Sequence, residues 1–352
     1  MKHTPDNPPT NQLGSGITES QVVEAVERSG YPLQVHVAAI LRSTVGPCNE
    51  PFGVLEEWSY LDRDSGEQRN LDLHAELRLH DWDPQPRVRP KLNVLIECKQ
   101  SQLPYVFFLA PGKAVRIDFP VVAGLRNDRI VATSDDDPSS WNLTVIHALD
   151  LHVDPYQVTP PFCHTLSKCV RKGSDVELSG SEAYNSLILP LVKALHHFKQ
   201  TQAPPKTARY WYWDAHITIG LGVLDAPMVA VNVENGPPVF TAMPWVRVLR
   251  HEYQDKTAHS ERDRIWMIDI VHKDYFASYL NDHLLPFAER FAQRVLRHPT
   301  ELATGAAFVP GLGANAWNSI EQRMQPRSLV AGTARSLAIG RSIAKLFRRM
   351  PD

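Results

Sequence analysis

The sequence predicts an α/β protein in which a mixed sheet is flanked by helices, with additional strands and C-terminal helices. Two short segments with apolar residues at helical spacing come first, over about 18–29 and 32–41. Three segments with the alternation and apolar character of strands follow, over 52–61, 69–79 and 92–99. Later segments alternate between the two types, as expected for helices that pack on a sheet.

The two predicted helices have recognisable first turns. Thr18 can cap the first helix with its side chain, and Gln21 occupies the matching capping-box position. Gly30 ends this helix, and Pro32 begins the second, because proline suits a first turn in which its missing N–H is not needed. We therefore expect two short helices before the sheet begins.

The second and third predicted strands bring charged residues to one side. A turn at 62–66, rich in Asp, Ser and Gly, closes a hairpin, and its return strand carries Asp72 on the face opposite its leucines. The third strand is apolar except near its end, where Glu97 and Lys99 share a face. The alternation thus predicts that these three charged side chains lie near one another.

Beyond the third strand the pattern is less regular, and it predicts no order for 109–180. A helix is predicted over 181–198, with a kink at Pro190 because proline interrupts the backbone hydrogen bonds of a helix. A long helix is predicted over 276–296. Four further strands are predicted at 216–223, 228–233, 246–253 and 265–271.

Composition places the chain among globular proteins. With 352 residues and 43% hydrophobic content it can bury an ordinary core, and a net charge of −2 neither requires nor excludes a nucleic-acid partner. No long apolar run and no apolar N-terminal segment are present, so we expect a cytoplasmic protein that does not contact a membrane. Four scattered cysteines fit free thiols, and residues 1–16 are predicted to form a disordered tail.

Asp72, Glu97 and Lys99 form the predicted catalytic site. Two carboxylates close together repel each other unless a divalent cation lies between them, and an oxygen ligand set suits Mg²⁺ or Mn²⁺. Lys99 can orient the attacking water or offset charge on a phosphate in the transition state. The alternative is a Glu–Lys pair on the surface of a strand end, without a catalytic role.

Two segments around this site resemble a known nuclease superfamily. RNLDL at 69–73 and LIECKQS at 95–101 are similar to the motif of the PD-(D/E)xK, or restriction-endonuclease-like, nucleases. The resemblance covers residues 18–108 and implies a restriction-endonuclease-like α-β-β-β-α-β core. It also implies a nuclease domain over 17–300, in which 109–300 is an insertion or extension of the core.

The resemblance assigns roles to the motif residues. It implies that Asp72 and Glu97 bind the metal, that the backbone carbonyl of Cys98 adds a ligand, and that Lys99 serves the water. The implied activity is Mg²⁺-dependent hydrolysis of DNA, in defence against foreign DNA or in repair. An RNA-processing nuclease, and a non-cutting module that binds nucleic acid or a protein partner, stay open as alternatives, and the resemblance allows a homodimer.

The chain departs from many members of that superfamily at Gln34, where they have a glutamate on the helix beside the site. A neutral amide supplies one negative charge less, so the number of metal ions, one or two, stays open. Glu24 or Glu27 on the first helix could supply the missing carboxylate, although both also fit a solvated helix face. Gln100 and Ser101, which follow the motif directly, are further supporting candidates.

Two other segments carry weaker predictions. The C-terminal extension, residues 301–352, contains a predicted basic amphipathic helix, which is either a solvated surface helix or a phosphate-contacting or membrane-surface element. Its candidate nucleic-acid contacts are Arg341, Lys345, Arg348 and Arg349. The aromatic run at 210–213 is interpreted as an edge buried against the domain, rather than as a platform for unpaired bases.

Overall fold

The protein is mixed α/β, as predicted, with one large mixed sheet flanked by helices. The computed structural model describes residues 13, 16–62, 64–116, 118–134, 140–205, 211–234, 236–252, 265–309 and 320–325. Most of the predicted N-terminal tail and most of the predicted basic helix, with Arg341, Lys345, Arg348 and Arg349, lie outside these ranges. None of the described helices is long and apolar enough to cross a membrane.

The first five elements follow the sequence prediction closely. They are α1 (Glu19–Arg28), α2 (Tyr31–Ser43), β1 (Gly53–Asp62), β2 (Glu67–Arg78) and β3 (Val88–Gln100). Thr18 and Gln21 form the expected reciprocal capping box, and a proline lies in the first turn of α2. β3 begins four residues earlier than predicted because Val88 and Pro90 are buried at the start of the sheet.

The middle of the chain, for which the sequence predicts no order, consists mainly of strands. It contains β4 (Tyr105–Ala110), β5 (Val121–Ala123), β6 (Arg129–Ser134), β7 (Ser140–Thr144), α3 (Val145–Ala148), α4 (Pro155–Val158), β8 (Phe162–Lys172) and β9 (Asp175–Ser179). In the described residues, β6 and β7 pair with a late strand, β15 (Ala306–Val309), in a separate three-stranded sheet.

The later elements include each helix and strand that the sequence predicts there. They are α5 (Gly180–Ala183), α6 (Leu189–Thr201), β10 (Trp213–Asp225), β11 (Met228–Asn232), β12 (Val239–Ala242), β13 (Trp245–His251), β14 (Ile265–His272), α7 (Phe276–Ser278), α8 (Leu285–Arg297), α9 (Pro299–Thr304) and α10 (Ile320–Arg323). A turn of π-helix, Tyr184–Ile188, joins α5 to α6 immediately before Pro190, where the sequence predicts a kink. The wider turn accommodates the proline ring and its missing N–H.

Strand order in the large sheet places β3 in its interior. The order of hydrogen-bonded neighbours is β1-β2-β3-β10-β14-β13-β8-β4-β11-β12. β2 is antiparallel to β3, whereas β10 runs parallel to β3 over thirteen residue pairs, from Val88 and Trp213 to Gln100 and Asp225. β3 therefore has a hydrogen-bonded neighbour on each side.

Both faces of β3 are covered, which explains its nearly continuous apolar sequence. Leu92, Val94, Ile96 and Cys98 belong to a cluster with residues of α2 and α8, and Leu95 belongs to a second cluster with residues of α6. The predicted alternation of β3 is thus confirmed. The charged residues near its end share the face of Leu95, which is the face that α6 covers.

A buried ion pair joins two central strands beside this core. The guanidinium of Arg247 on β13 donates to both carboxylate oxygens of Asp269 on β14, at 2.7 and 2.9 Å. The hydroxyls of Tyr156 and Tyr279 donate to the same carboxylate at 2.7 and 2.9 Å. Neither charged residue is exposed to solvent. The guanidinium also donates through Nη1 to the carbonyls of Tyr156 and Gln157 at 3.1 and 3.0 Å, so the pair is hydrogen-bonded within the core and acts as a structural cross-link.

The aromatic run before β10 differs from its sequence interpretation. Trp213 is buried, but Trp211 is 88% exposed and Tyr212 is 42% exposed. The prediction of a buried aromatic edge is therefore wrong for these two side chains. Trp213 belongs to β10, where it pairs with Val88 of β3, and both side chains are buried in the same hydrophobic cluster.

Candidate active site

Asp72 lies in β2 at a point where pairing with both neighbouring strands is interrupted. On one side, β1 pairs Glu56 with Leu73 and Trp58 with Leu71, but skips the intervening pair. On the other side, the β2–β3 register ends at Leu73 and Ile96. Continuing either register by one residue brings Asp72 opposite a glutamate, Glu57 on β1 and Glu97 on β3.

The interruption also separates the leucines of β2. Leu73 packs in the cluster that contains α2, whereas Leu71 packs in the α6 cluster with Tyr60. The sequence alternation, which puts all leucines of β2 on one face, is therefore wrong at Leu71. The physical reason lies next to it: Glu57 has a φ of 52°, a left-handed conformation that breaks the regular strand geometry of β1.

Cys98 connects Asp72 to β3 through its main chain. The backbone N–H of Cys98 donates to Oδ2 of Asp72 at 2.6 Å. In an extended strand the N–H and C=O of one residue project toward the same neighbour, so the Cys98 carbonyl also faces the β2 side. This orientation agrees with the role that the resemblance implies for that carbonyl.

Glu97 is a buried carboxylate with one oxygen left over. Its side chain is only 8% exposed, and Oε1 accepts from Nζ of Lys99 at 2.5 Å. Oε2 is buried and has no hydrogen-bond partner among the described residues. The alternative from the sequence, a Glu–Lys pair on the surface, does not describe this glutamate, because burying an unpaired charged oxygen is costly.

The electrostatics of the cluster follow from this burial. Burial raises the pKa of Glu97 to about 7, and the negative charge of Asp72 adds to the increase, while Lys99 and the nearby backbone N–H of Asp72, which lies beyond normal hydrogen-bond geometry, oppose it. Burial also raises the pKa of Asp72 against the lowering effects of the Cys98 N–H and of Lys99. Burial alone would lower the pKa of Lys99, but the charges of Glu97 and Asp72 raise it, so Lys99 stays protonated.

These residues fit a divalent cation. A buried carboxylate oxygen without a donor, a second carboxylate and a main-chain carbonyl are the hard oxygen ligands that Mg²⁺ prefers. Within the described ranges no group of three or more His, Cys, Asp and Glu side chains is already arranged to hold a metal ion. The candidate ligands therefore number two side chains, Asp72 and Glu97, and the carbonyl of Cys98.

Gln34 reaches the site through the main chain of Asp72. It is 5% exposed, and its side-chain Nε2 donates to the Asp72 carbonyl at 3.1 Å. A glutamate in its place would present a negative charge to that carbonyl oxygen, whereas the amide satisfies it. Gln34 thus supports the strand that carries Asp72 from α2.

The remaining candidates are not joined to the carboxylates. Ser101 forms hydrogen bonds with Leu103 within a local turn, and Gln100 is exposed at the end of β3. Glu24 forms an ion pair with Arg28 on the exposed helix α1. The structure therefore brings together Asp72, Glu97, the Cys98 main chain, Lys99 and, from α2, Gln34.

A polar network that the sequence pattern did not indicate continues from the site on the same face of the sheet. Asn93 accepts from Nε2 of His74 at 3.0 Å and donates from its amide nitrogen to Nδ1 of His216 at 2.8 Å. Burial lowers the pKa of both imidazoles, that of His216 to about 4, which favours their neutral forms. The polar alternation of β2 and β3 could have indicated His74 and Asn93. It could not indicate His216, because β10 lies more than a hundred residues away in the sequence.

No model of a protein family, no curated protein and no solved structure matched this chain.

Proposed function

We propose that this protein is a Mg²⁺-dependent nuclease that hydrolyses phosphodiester bonds of DNA. The observation that carries the proposal is the buried carboxylate of Glu97, which has one oxygen paired with Lys99 and the other without a partner, opposite Asp72. A general surface role does not account for a carboxyl oxygen without a partner at this depth. A bound cation would satisfy it.

The order of elements supports a restriction-endonuclease-like core. α2, β1, β2, β3, α6 and β10 follow one another in the order α-β-β-β-α-β when the middle segment is set aside, and β10 is parallel to β3. In this arrangement the motif strand lies inside the sheet, with α2 and α6 on its two faces.

Each residue has a task in this proposal. Asp72, Glu97 and the Cys98 carbonyl would hold Mg²⁺, or Mn²⁺ in its place, and the ion would polarise the phosphate and lower the pKa of water. Lys99, held by Glu97 and protonated, supplies positive charge for the phosphate and a donor that orients the attacking water. The Cys98 N–H fixes the carboxylate of Asp72, so that its second oxygen stays available.

The test is cleavage by the purified full-length protein. Supercoiled, linear and single-stranded DNA and RNA are each incubated with Mg²⁺, Mn²⁺ or EDTA. We expect cleavage of DNA with either metal and none with EDTA. Cleavage of RNA alone would favour the RNA-processing alternative, and binding without cleavage under every condition would favour the non-cutting module.

A further inference from the structure

We propose that Glu57 on β1 is a third carboxylate of this site and holds, together with Asp72, a second divalent cation. The inference rests on the proposed function and goes beyond it, because the motif contains no residue of β1. It assigns to Glu57 the negative charge that Gln34 does not supply.

The register places three carboxylates in a row across three strands. The β1–β2 register, carried across the skipped pair, puts Glu57 opposite Asp72, and the β2–β3 register, continued by one residue, puts Asp72 opposite Glu97. Neighbouring strands in a sheet lie about 4.8 Å apart. Asp72 therefore has a carboxylate-bearing residue on each side, and each of the two intervals is short enough for ligands of one cation.

The backbone of Glu57 is held in a conformation that glutamate rarely adopts. Its φ of 52° is left-handed, a conformation that is sterically unfavourable for a residue with a Cβ but not for glycine. The pairing between β1 and β2 resumes on both sides of it in unchanged register, so no inserted residue explains the break. A local cost of this kind is often kept where a side chain has to be presented for function.

The buried side chain of Glu97 is a second indication that a ligand binds at this cluster. Its side chain is more than nine-tenths buried, and Oε2 has no partner among the described residues. Asp72 acts on Glu97 from the next strand, and the charge of Glu57 acts on Asp72 from the other side. Lys99 pairs with Glu97 and also offsets part of the charge of Asp72.

Glu57 is free to take part because its side chain is exposed. Among the described residues the three carboxylates do not form a ready ligand cluster. Glu57 can turn toward Asp72 without breaking a packed contact of the core. Its neighbour Glu56 offers a matched comparison, because it has the same side chain on the same strand but forms an ion pair with Arg42 at 2.6 Å.

Counting bound ions tests the proposal without relying on cleavage. Mn²⁺ is titrated into the full-length wild type, Glu57→Gln and Glu56→Gln, and free Mn²⁺ is followed by electron paramagnetic resonance, with calorimetry for affinity. We expect two ions in the wild type and in Glu56→Gln. In Glu57→Gln we expect the weaker ion to bind at least tenfold less tightly.

The outcomes separate this inference from the proposed function. One ion in the wild type, or two ions of unchanged affinity in Glu57→Gln, would overturn the role of Glu57 and leave the nuclease proposal in place. No ion in the wild type would overturn both.

A glycine variant separates function from strain. Glu57→Gly should melt at a higher temperature than the wild type in EDTA, because glycine adopts a φ of 52° without cost, and it should still lose the second ion. A variant that gains stability and keeps both ions would show that the backbone conformation serves only the fold, which contradicts the proposal.

Discussion

The side-chain amide of Gln34 donates to the main-chain carbonyl of Asp72 over 3.1 Å, and so ties helix α2 to the strand that carries the candidate metal ligand. Replacing Gln34 by Glu substitutes a buried acceptor for the donor. We expect this change to lower the free energy of unfolding by about 2 kcal/mol, in the range that a buried polar group without a partner costs. Urea denaturation in EDTA measures it.

Gln100→Glu is the control for this change, because Gln100 is exposed at the end of β3. It should alter the free energy of unfolding by less than about 0.5 kcal/mol, as surface substitutions usually do. Equal stability of Gln34→Glu and the wild type would mean that the hydrogen bond to Asp72 does not hold the strand.

Lys99→Ala should separate metal binding from cleavage. The variant keeps both carboxylates and loses the donor that orients water and offsets phosphate charge, so cleavage should fall by about 10²–10³-fold. Mn²⁺ affinity should fall far less. The control is Lys91→Ala, on the same strand, where Lys91 pairs with Glu76 at 3.3 Å outside the site; cleavage at the wild-type rate by Lys99→Ala would remove Lys99 from the mechanism.

Asp72→Asn should instead weaken metal binding and cleavage together. Asparagine retains an oxygen that can accept from the Cys98 N–H, so the fold is preserved while the negative charge is lost. Alanine would be a poorer choice, because it would leave that N–H without its acceptor. Calorimetric titration with Mn²⁺, beside a cleavage assay, tests this variant, and undiminished affinity would exclude Asp72 as a ligand.

The raised pKa of Glu97 predicts that the free energy of unfolding falls as the pH rises. Its pKa rises from an ordinary value of 4.5 to about 7 on folding, so its neutral form favours the native state below pH 4.5 and this stability is lost as the pH rises through 7. The shift corresponds to about 3 kcal/mol. In EDTA, Glu97→Gln should therefore gain about that much over the wild type between pH 4.5 and pH 8.

Glu97→Gln has to be compared with the wild type at each pH, because His216 changes the stability of both proteins with pH in the opposite direction to Glu97. Its pKa falls to about 4 on folding, so it favours the native state above pH 6.5 and loses that effect as the pH falls toward 4. Glu97→Gln and the wild type both contain His216, so its effect cancels in the difference between their free energies of unfolding. A difference between Glu97→Gln and the wild type that does not change with pH would show that Glu97 titrates normally.

Asp269→Asn should be among the most destabilising single changes in the core. It removes the charge that faces Arg247, which is fully buried, and breaking such a pair from one side typically costs about 3–5 kcal/mol. Glu177→Gln, which disrupts the exposed pair with Lys172, should cost less than about 1 kcal/mol. Chemical denaturation compares them, and a small loss in Asp269→Asn would mean that Arg247 finds another partner.

Local signals predicted much of the framework around the site. The capping box at Thr18, the proline of α2 and the alternation of β3 are read from residues within a few positions of one another, and the structure has each of them. The motif also predicted that Asp72, Glu97 and Lys99 lie near one another, and in the structure they do. Their metal binding and catalysis stay predictions.

The rest depends on relationships that single-sequence patterns do not contain. Glutamate has no preference for a left-handed φ, so nothing at Glu57 announces its conformation, and the reversal of Leu71 follows from it. His216 joins Asn93 only because β10 pairs with β3 across a long separation. The donor role of Gln34 likewise requires the distance between α2 and the Asp72 carbonyl.

The pairing of β3 with β10 has a consequence for how this chain is synthesised. Val88 pairs with Trp213, and the offset of 213 − 88 = 125 residues is constant along the strand. Ribosomes add about 5–20 residues per second, so one whole edge of β3 waits about 6–25 s for its partner. During that interval an apolar strand has an open edge, which is the usual template for aggregation. Fragments that contain the motif but end before residue 213 should therefore be insoluble, and the native chain depends on protection of β3 until its second half emerges.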